Sequence, residues 1–270
     1  MPKKNSWVNL VLAYSLGTAV GVGGACFAFK DKISSLEEAL KFYISANASN
    51  AASKPKEDAQ KGIQIIRLED FIEGDFEESL IMVQLGKIGG RDRIMQVRAS
   101  EYLDYRNRSH VTTSSESFAN YVTYGSETIK KISQELTSGI KSDEASAQKI
   151  LDFVNKSIIY DWTIEKERNY ARYPLETLVE RNGDCEDMAI LAASLMKSKG
   201  IDVIFVEIPG SPGHIGVGIS GGYKGKYYEL EGRKYYYANA AGISENQKIW
   251  KIGEIPKEYL DKEVKLIKIP

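Results

Sequence analysis

Cysteine and histidine are scarce in this sequence. There are two of each: Cys26 and Cys185, His110 and His214. A structural zinc centre takes about four ligands at short spacing, and residues so far apart do not supply one. Cys26 lies in an apolar N-terminal run, which argues against a disulfide with Cys185. An excess of one charge is missing too, with 36 Lys+Arg against 37 Asp+Glu. A nucleic-acid backbone calls for clustered positive charge, so nucleic acid is not an expected partner. Polarity is not so high as to forbid a core: 43% of residues are apolar, which excludes wholesale disorder.

Charge is absent altogether from Trp7 to Phe29. That run of about 23 residues would span roughly 34 Å as a helix, enough to cross a bilayer core of roughly 30 Å. It exceeds the apolar stretch of a cleaved signal peptide, usually about 7–15 residues. A lipoprotein reading would modify Cys26 after Gly23-Gly24-Ala25, but no Leu or Val stands three before the cysteine. The segment therefore reads as a single-pass anchor in the cell membrane. Lys3 and Lys4 favour an inside N-terminus and an extracytoplasmic C-terminal part, while Lys30 and Lys32 oppose it.

Residues 31–46 continue as a helix, and the Ala/Ser/Asn/Lys-rich stretch 47–62 reads as a flexible linker. Leu80–Leu85 and Ile94–Val97 predict a hairpin around Gly86–Gly90. Helices are predicted over 126–140 and 142–158; in the second, Ala147, Ile150, Leu151, Val154 and Ile158 share one face. Gly183-Asp184 opens a further apolar helix that Gly200 ends. Strands follow at 203–206, 214–219 and 234–239.

Cys185 stands in the first turn of its helix, where free N–H groups and the positive end of the dipole favour a thiolate. Taken alone, such a cysteine is more often a small apolar residue. The histidine strand strengthens the chemical reading. His214, Gly216 and Gly218 share a face, and the glycines leave room for close approach by another backbone, such as the Cys185 helix. Pairing 214–219 with 234–239 end to end puts Asn239 opposite His214, where it could orient the imidazole. Glu229 and Glu231 fall at the far end of that hairpin. Asp184 and Asp187 read as helix-capping residues, His110 as a surface residue, and the tyrosines at 227, 228 and 235–237 as edge-strand packing.

The segments Tyr173-Pro174-Leu175-Glu176-Thr177-Leu178 and Gly183-Asp184-Cys185-Glu186-Asp187 resemble the core of microbial, archaeal-type transglutaminase-like proteins. Gly213–Gly218 is similar to that family's histidine strand, Tyr235–Asn239 to its third-residue strand, and Trp250–Pro256 to a run that often follows. The resemblance implies an α+β, papain-like thiol fold, a central Cys-bearing helix packed on an antiparallel sheet. It implies Cys185 as nucleophile, His214 as base and Asn239 as orienter, with no cofactor and no metal. The third member is usually Asp or Glu; Asn239 departs from that, as papain-type proteases do. The expected organisation is a membrane anchor at 1–30, helix and linker at 31–62, an α/β extension of unread role at 63–141 and the transglutaminase-like domain at 142–270. The expected activity is hydrolysis or acyl transfer at amide bonds of a protein or peptide substrate. The alternative is a catalytically degenerate binding or scaffold domain. The Cys185 N–H is a natural oxyanion donor, and Tyr173 is the candidate for a second.

Overall fold

The computed structural model describes residues 9–11, 80–161, 170–210, 213–241 and 249–270. Most of the expected anchor at 7–29, and all of the helix and linker expected over 31–62, lie outside them. Within the anchor span only Asn9–Val11 is described, and it is strand β1, paired parallel with Leu80–Met82, where helix was expected. No helix among the described residues is long and apolar enough to cross a membrane.

The chain divides into two units, Met1–Val83 with Gln96–Asn107, and Gln84–Met95 with Arg108–Pro270. The first includes the helix α1, Ala99–Arg106. The expected hairpin is present as β2 (Leu80–Ile88) and β3 (Arg91–Arg98). It turns at Gly89 and Gly90, whose φ angles of 58° and 79° suit a tight hairpin turn of this twist.

The second unit contains α2 (Glu127–Leu136), α3 (Asp143–Ser157), α4 (Pro174–Glu180) and α5 (Cys185–Ser198). Ser126 and Ser142 cap α2 and α3, each side chain accepting a backbone N–H in the first turn. The helix α5 is apolar almost all round and buried from Met188 to Met196, the signature of a central helix. It packs against α2, α3, α4 and the sheet.

That sheet has five strands: β6 (Val203–Ile208), β7 (His214–Ser220), β8 (Tyr227–Leu230), β9 (Arg233–Ala238) and β10 (Lys265–Lys268). Their order is β10-β6-β7-β9-β8, all antiparallel. A further short pair joins β4 (Ile159–Tyr160) to β5 (Asn182–Gly183), directly before α5. The strand β7 is central and buried on both faces, which explains its run of small and branched apolar residues. One face, with Ile204, Val206, Ile208, Tyr235 and Tyr237, is covered by Ile255, Tyr259 and Val264 of the C-terminal segment. The other, with Val203, Phe205, Ile215, Val217 and Ile219, lies toward α5.

Candidate active site

Gly183, Asp184 and Asp187 set the start of α5. A Cβ at Gly183 would lie 2.7 Å from Asp187 Cβ, so only glycine allows β5 to run so close to the helix. Asp184 is the N-cap, its carboxylate accepting the Asp187 N–H at 3.1 Å. Asp187 Oδ1 in turn accepts the Arg172 N–H at 2.7 Å. The Arg172 guanidinium is buried and reaches Asn182 O at 2.9 Å and Glu180 at 3.4 Å. The expected capping role of Asp184 holds, and Asp187 ties the preceding loop to the helix. Burial pushes Asp184 up to about 8, with Glu186 adding to the rise.

Cys185 therefore occupies the first position of the helix and is 6% exposed. Its thiol donates to Glu186 Oε2 at 2.9 Å. Burial pushes the thiol pKa well above its ordinary value, and the Glu186 and Asp184 carboxylates push it further. The helix-start argument predicted the opposite. It counted the dipole and left out the two acidic neighbours and the desolvation, all of which raise the thiol pKa. The Ile215 backbone N–H works the other way, as a donor toward the sulfur.

The sheet geometry explains that donor. Ser220 N–H bonds Asp202 O, so even residues of β7 point their backbone groups at β6 and odd ones at β9. The β9 ladder ends at Val217↔Ala238. Ile215 is the next odd residue, and its N–H extends past the end of β9 toward the thiol.

His214 opens β7 and is 4% exposed; Asn239 follows β9 and is 1% exposed. The His214 Nε2–H donates to Asn239 Oδ1 at 3.1 Å, which leaves Nδ1 as the remaining ring nitrogen. Burial lowers the His214 pKa to about 4, while the Asn239 bond and the Glu258 charge oppose the drop. Among the described residues no hydrogen bond joins Cys185 to His214. Both shifts favour the neutral forms, a thiol and an imidazole, over an ion pair.

Two expectations about this hairpin are corrected. The register runs Ile219↔Tyr236 and Val217↔Ala238, two residues away from the expected Ile219 opposite Lys234. Gly216 and Gly218 make room for side chains of the sheet, not for the helix. A Cβ at Gly216 would meet the Tyr237 ring at 2.7 Å, and one at Gly218 would meet Ile204 at 2.8 Å and Tyr235 at 3.1 Å. Tyr237 is thus a wholly buried core residue rather than edge packing. His110 is likewise no surface residue. Its Nε2 bonds both Glu176 oxygens at 2.8 and 2.9 Å, and its ring stacks on Tyr170. Tyr173 is the N-cap of α4, its backbone N–H donating to Glu176 Oε2 at 2.9 Å.

Sequence reasoning missed three contributors. Asn155 of α3 donates through Nδ2 to Asn239 O at 3.1 Å and Ala240 O at 2.7 Å, and accepts the Trp250 N–H at 3.1 Å. Gln148, two turns earlier, bonds Trp250 O and Ile252 N–H, both at 3.0 Å. Tyr259 stacks on the His214 ring, centroids 4.8 Å apart and planes 12° from parallel. A signal for Asn155 was present: it follows Gln148 and Leu151 at helical spacing, on the edge of the apolar stripe.

A Cys at a helix start beside a His–Asn strand pair, on an α+β frame, defines a papain-like thiol domain. Residues 130–216 match the model of the transglutaminase-like superfamily. The match takes in Cys185 and His214 and stops before Asn239. No curated protein matches the chain. Among solved structures, it is similar to a candidate cysteine protease from Cytophaga hutchinsonii, with 13% identity and a TM-score of 0.37 over 69% of this chain and 61% of that one. A candidate protease from Parabacteroides distasonis shows 13% identity and a TM-score of 0.30, over 60% of this chain and 36% of that one. A TGase shows 12% identity and a TM-score of 0.34, over 77% and 63%. The chain spans less than two thirds of the length of each.

Proposed function

We propose that this protein is a membrane-anchored, cysteine-dependent amide hydrolase or acyltransferase acting on a protein or peptide, with Cys185, His214 and Asn239 as its triad. The observation that carries the reading is the His214–Asn239 bond at the strand end where Ile215 N–H meets the Cys185 thiol. In the reaction His214 Nδ1 takes the thiol proton as sulfur bonds to the amide carbon. The C–N bond then breaks, and the same proton leaves with the amine. Water or a second amine attacks the thioester and frees Cys185. Because the neutral thiol and imidazole are favoured, proton transfer accompanies attack instead of preceding it. The Cys185 N–H, at a helix start, is a donor for the developing oxyanion.

Residues 7–29 would anchor the chain in the cell membrane, with the thiol domain outside the cytoplasm. Full-length protein should resist carbonate extraction and require detergent; recovery in the soluble fraction with an intact N-terminus would refute the anchor.

One observation favours a degenerate binding domain instead: the thiol is buried, bonded to Glu186 and raised in pKa. The test is paired. Hydrolysis of a protein substrate, or incorporation of a labelled amine into it, should be lost in Cys185→Ala. Iodoacetamide should label Cys185, more slowly in His214→Ala. No turnover, with labelling indifferent to His214→Ala, supports the binding domain.

A further inference from the structure

The histidine-bearing face of the sheet is covered by a strap, the C-terminal segment from Trp250 to Val264. Gln148 and Asn155 pin its start, and Gly253 fastens it to the sheet through Gly253 N–H to Tyr237 O at 2.7 Å and Lys226 N–H to Gly253 O at 2.8 Å. Beyond Pro256 the chain makes a short turn at Lys257–Tyr259 and then returns to the far edge as β10. Ile255, Tyr259 and Val264 pack on the cluster of Ile204, Val206, Ile208, Tyr235 and Tyr237. Ile208 pairs with His214 and Val206 with Gly216, so this is the face that carries the imidazole. The glycine at 216 leaves no side chain next to His214 on its own strand. The Tyr237 ring takes up that room, and Tyr259 is stacked flat on the imidazole.

We propose that Tyr259 is a positioning residue for His214: its ring closes one face of the imidazole to water and holds it in the plane that reaches Asn239. This rests on the reading of His214 as the base. Stacked aromatic cover resists ring rotation and removes the water that would solvate an imidazolium. Charged and titratable groups reach the ring's surroundings from several elements, the stacked Tyr259 among them. Glu258 comes from the strap itself, Tyr237 from β9, and Cys185 from α5 beside Ile215. Glu258 favours the imidazolium and the apolar cover disfavours it, so removing the cover has a defined sign.

The experiment is an NMR titration of the imidazoles in full-length, histidine-labelled protein in detergent. The chain has only two histidines, so the His214 signal is assigned by its loss in His214→Ala. His214 should titrate near 4 in the parent and in Tyr259→Phe. In Tyr259→Ala it should rise by about one unit or more as water reaches the ring. If Tyr259→Ala does not fold, Tyr259→Leu, which fills the apolar cluster without a flat ring, should move His214 the same way. An unmoved His214 in the folded variant overturns the proposal, and so does a Tyr259→Phe shift as large as that of the smaller side chain. Cys185 labelling in His214→Ala reports separately on the thiol reading, so each failure is recognisable.

Discussion

His214 bonds Asn239 across a diagonal of the sheet, although continuing the ladder past Val217↔Ala238 would set Asn239 opposite Gly216. The same diagonal recurs along the hairpin. The Tyr237 ring fills the space over Gly216, and Tyr235 Cβ fills that over Gly218. Strand twist shortens one diagonal of each cross-strand quartet, and the missing Cβ atoms let β9 side chains lean over β7. The orienting contact is thus a product of two glycines as much as of the asparagine.

Charge at position 239 should retune the base. Asn239→Asp places an anion on Nε2, favours the imidazolium and should raise the His214 pKa from about 4. Because the base works as a neutral imidazole, the acid limb of any amidase profile should move to higher pH with it. Asn239→Ala should lower the rate in part, by about tenfold, while Cys185→Ala abolishes it. An unmoved profile in Asn239→Asp and full activity in Asn239→Ala would reduce Asn239 to a strand-end residue.

Glu186 holds the thiol in check. Glu186→Gln removes the second-largest cause of the raised Cys185 pKa and neutralises the acceptor of the thiol proton. Iodoacetamide labelling should reach half its limiting rate about one pH unit or more below the parent. A labelling profile that stays put would show that burial alone sets the thiol.

Acid should loosen the fold through His214. Its folded pKa, about 4, lies below the ordinary 6.5. The stabilisation is therefore complete above 6.5 and is lost as pH falls from 6.5 through 4. Between pH 7 and pH 5 the loss is roughly 2 kcal/mol. Asp184, raised to about 8, has the reverse sign and loses stability as pH rises from about 4 to 8. Urea midpoints of the parent and His214→Gln isolate the histidine part: the variant should lack that acid-side loss, and parallel curves would contradict the buried neutral imidazole.

Asn155 should matter to the site without touching it. Asn155→Ala leaves two buried carbonyls and the Trp250 N–H without this partner. Urea unfolding should show a loss of about 2–3 kcal/mol. The His214 signal should broaden as the Asn239 segment loosens. A stability change under about 0.5 kcal/mol would mean that water replaces the side chain at no cost.

Much of this frame was legible from residues alone. Asp184 before an apolar run fixed the start of α5, and the alternation from His214 fixed β7, because capping and burial are local signals. The register slipped by two because the end-to-end count assumed equal strands, whereas β7 runs on to Ser220 and β9 stops at Ala238. An even slip keeps every side chain on its face, which is why the His214–Asn239 meeting survived it. Asn155, Glu186 and Tyr259 went unread in their roles. Glu186 stands beside Cys185 and only its charge was overlooked, whereas Asn155 and Tyr259 meet partners far away in the chain. His110 was misplaced for the same reason: its partner Glu176 is 66 residues away.

The strand that mounts the base lies in the middle of the sheet, with α5 toward one face and the strap over the other. Amide hydrogens there exchange only when the whole unit opens, so Gly216 and Gly218 belong to the slowest-exchanging class. Heating that stops short of global unfolding should leave the His214–Asn239 bond in place, and function should fail in the same transition as the fold, with no earlier inactivation step.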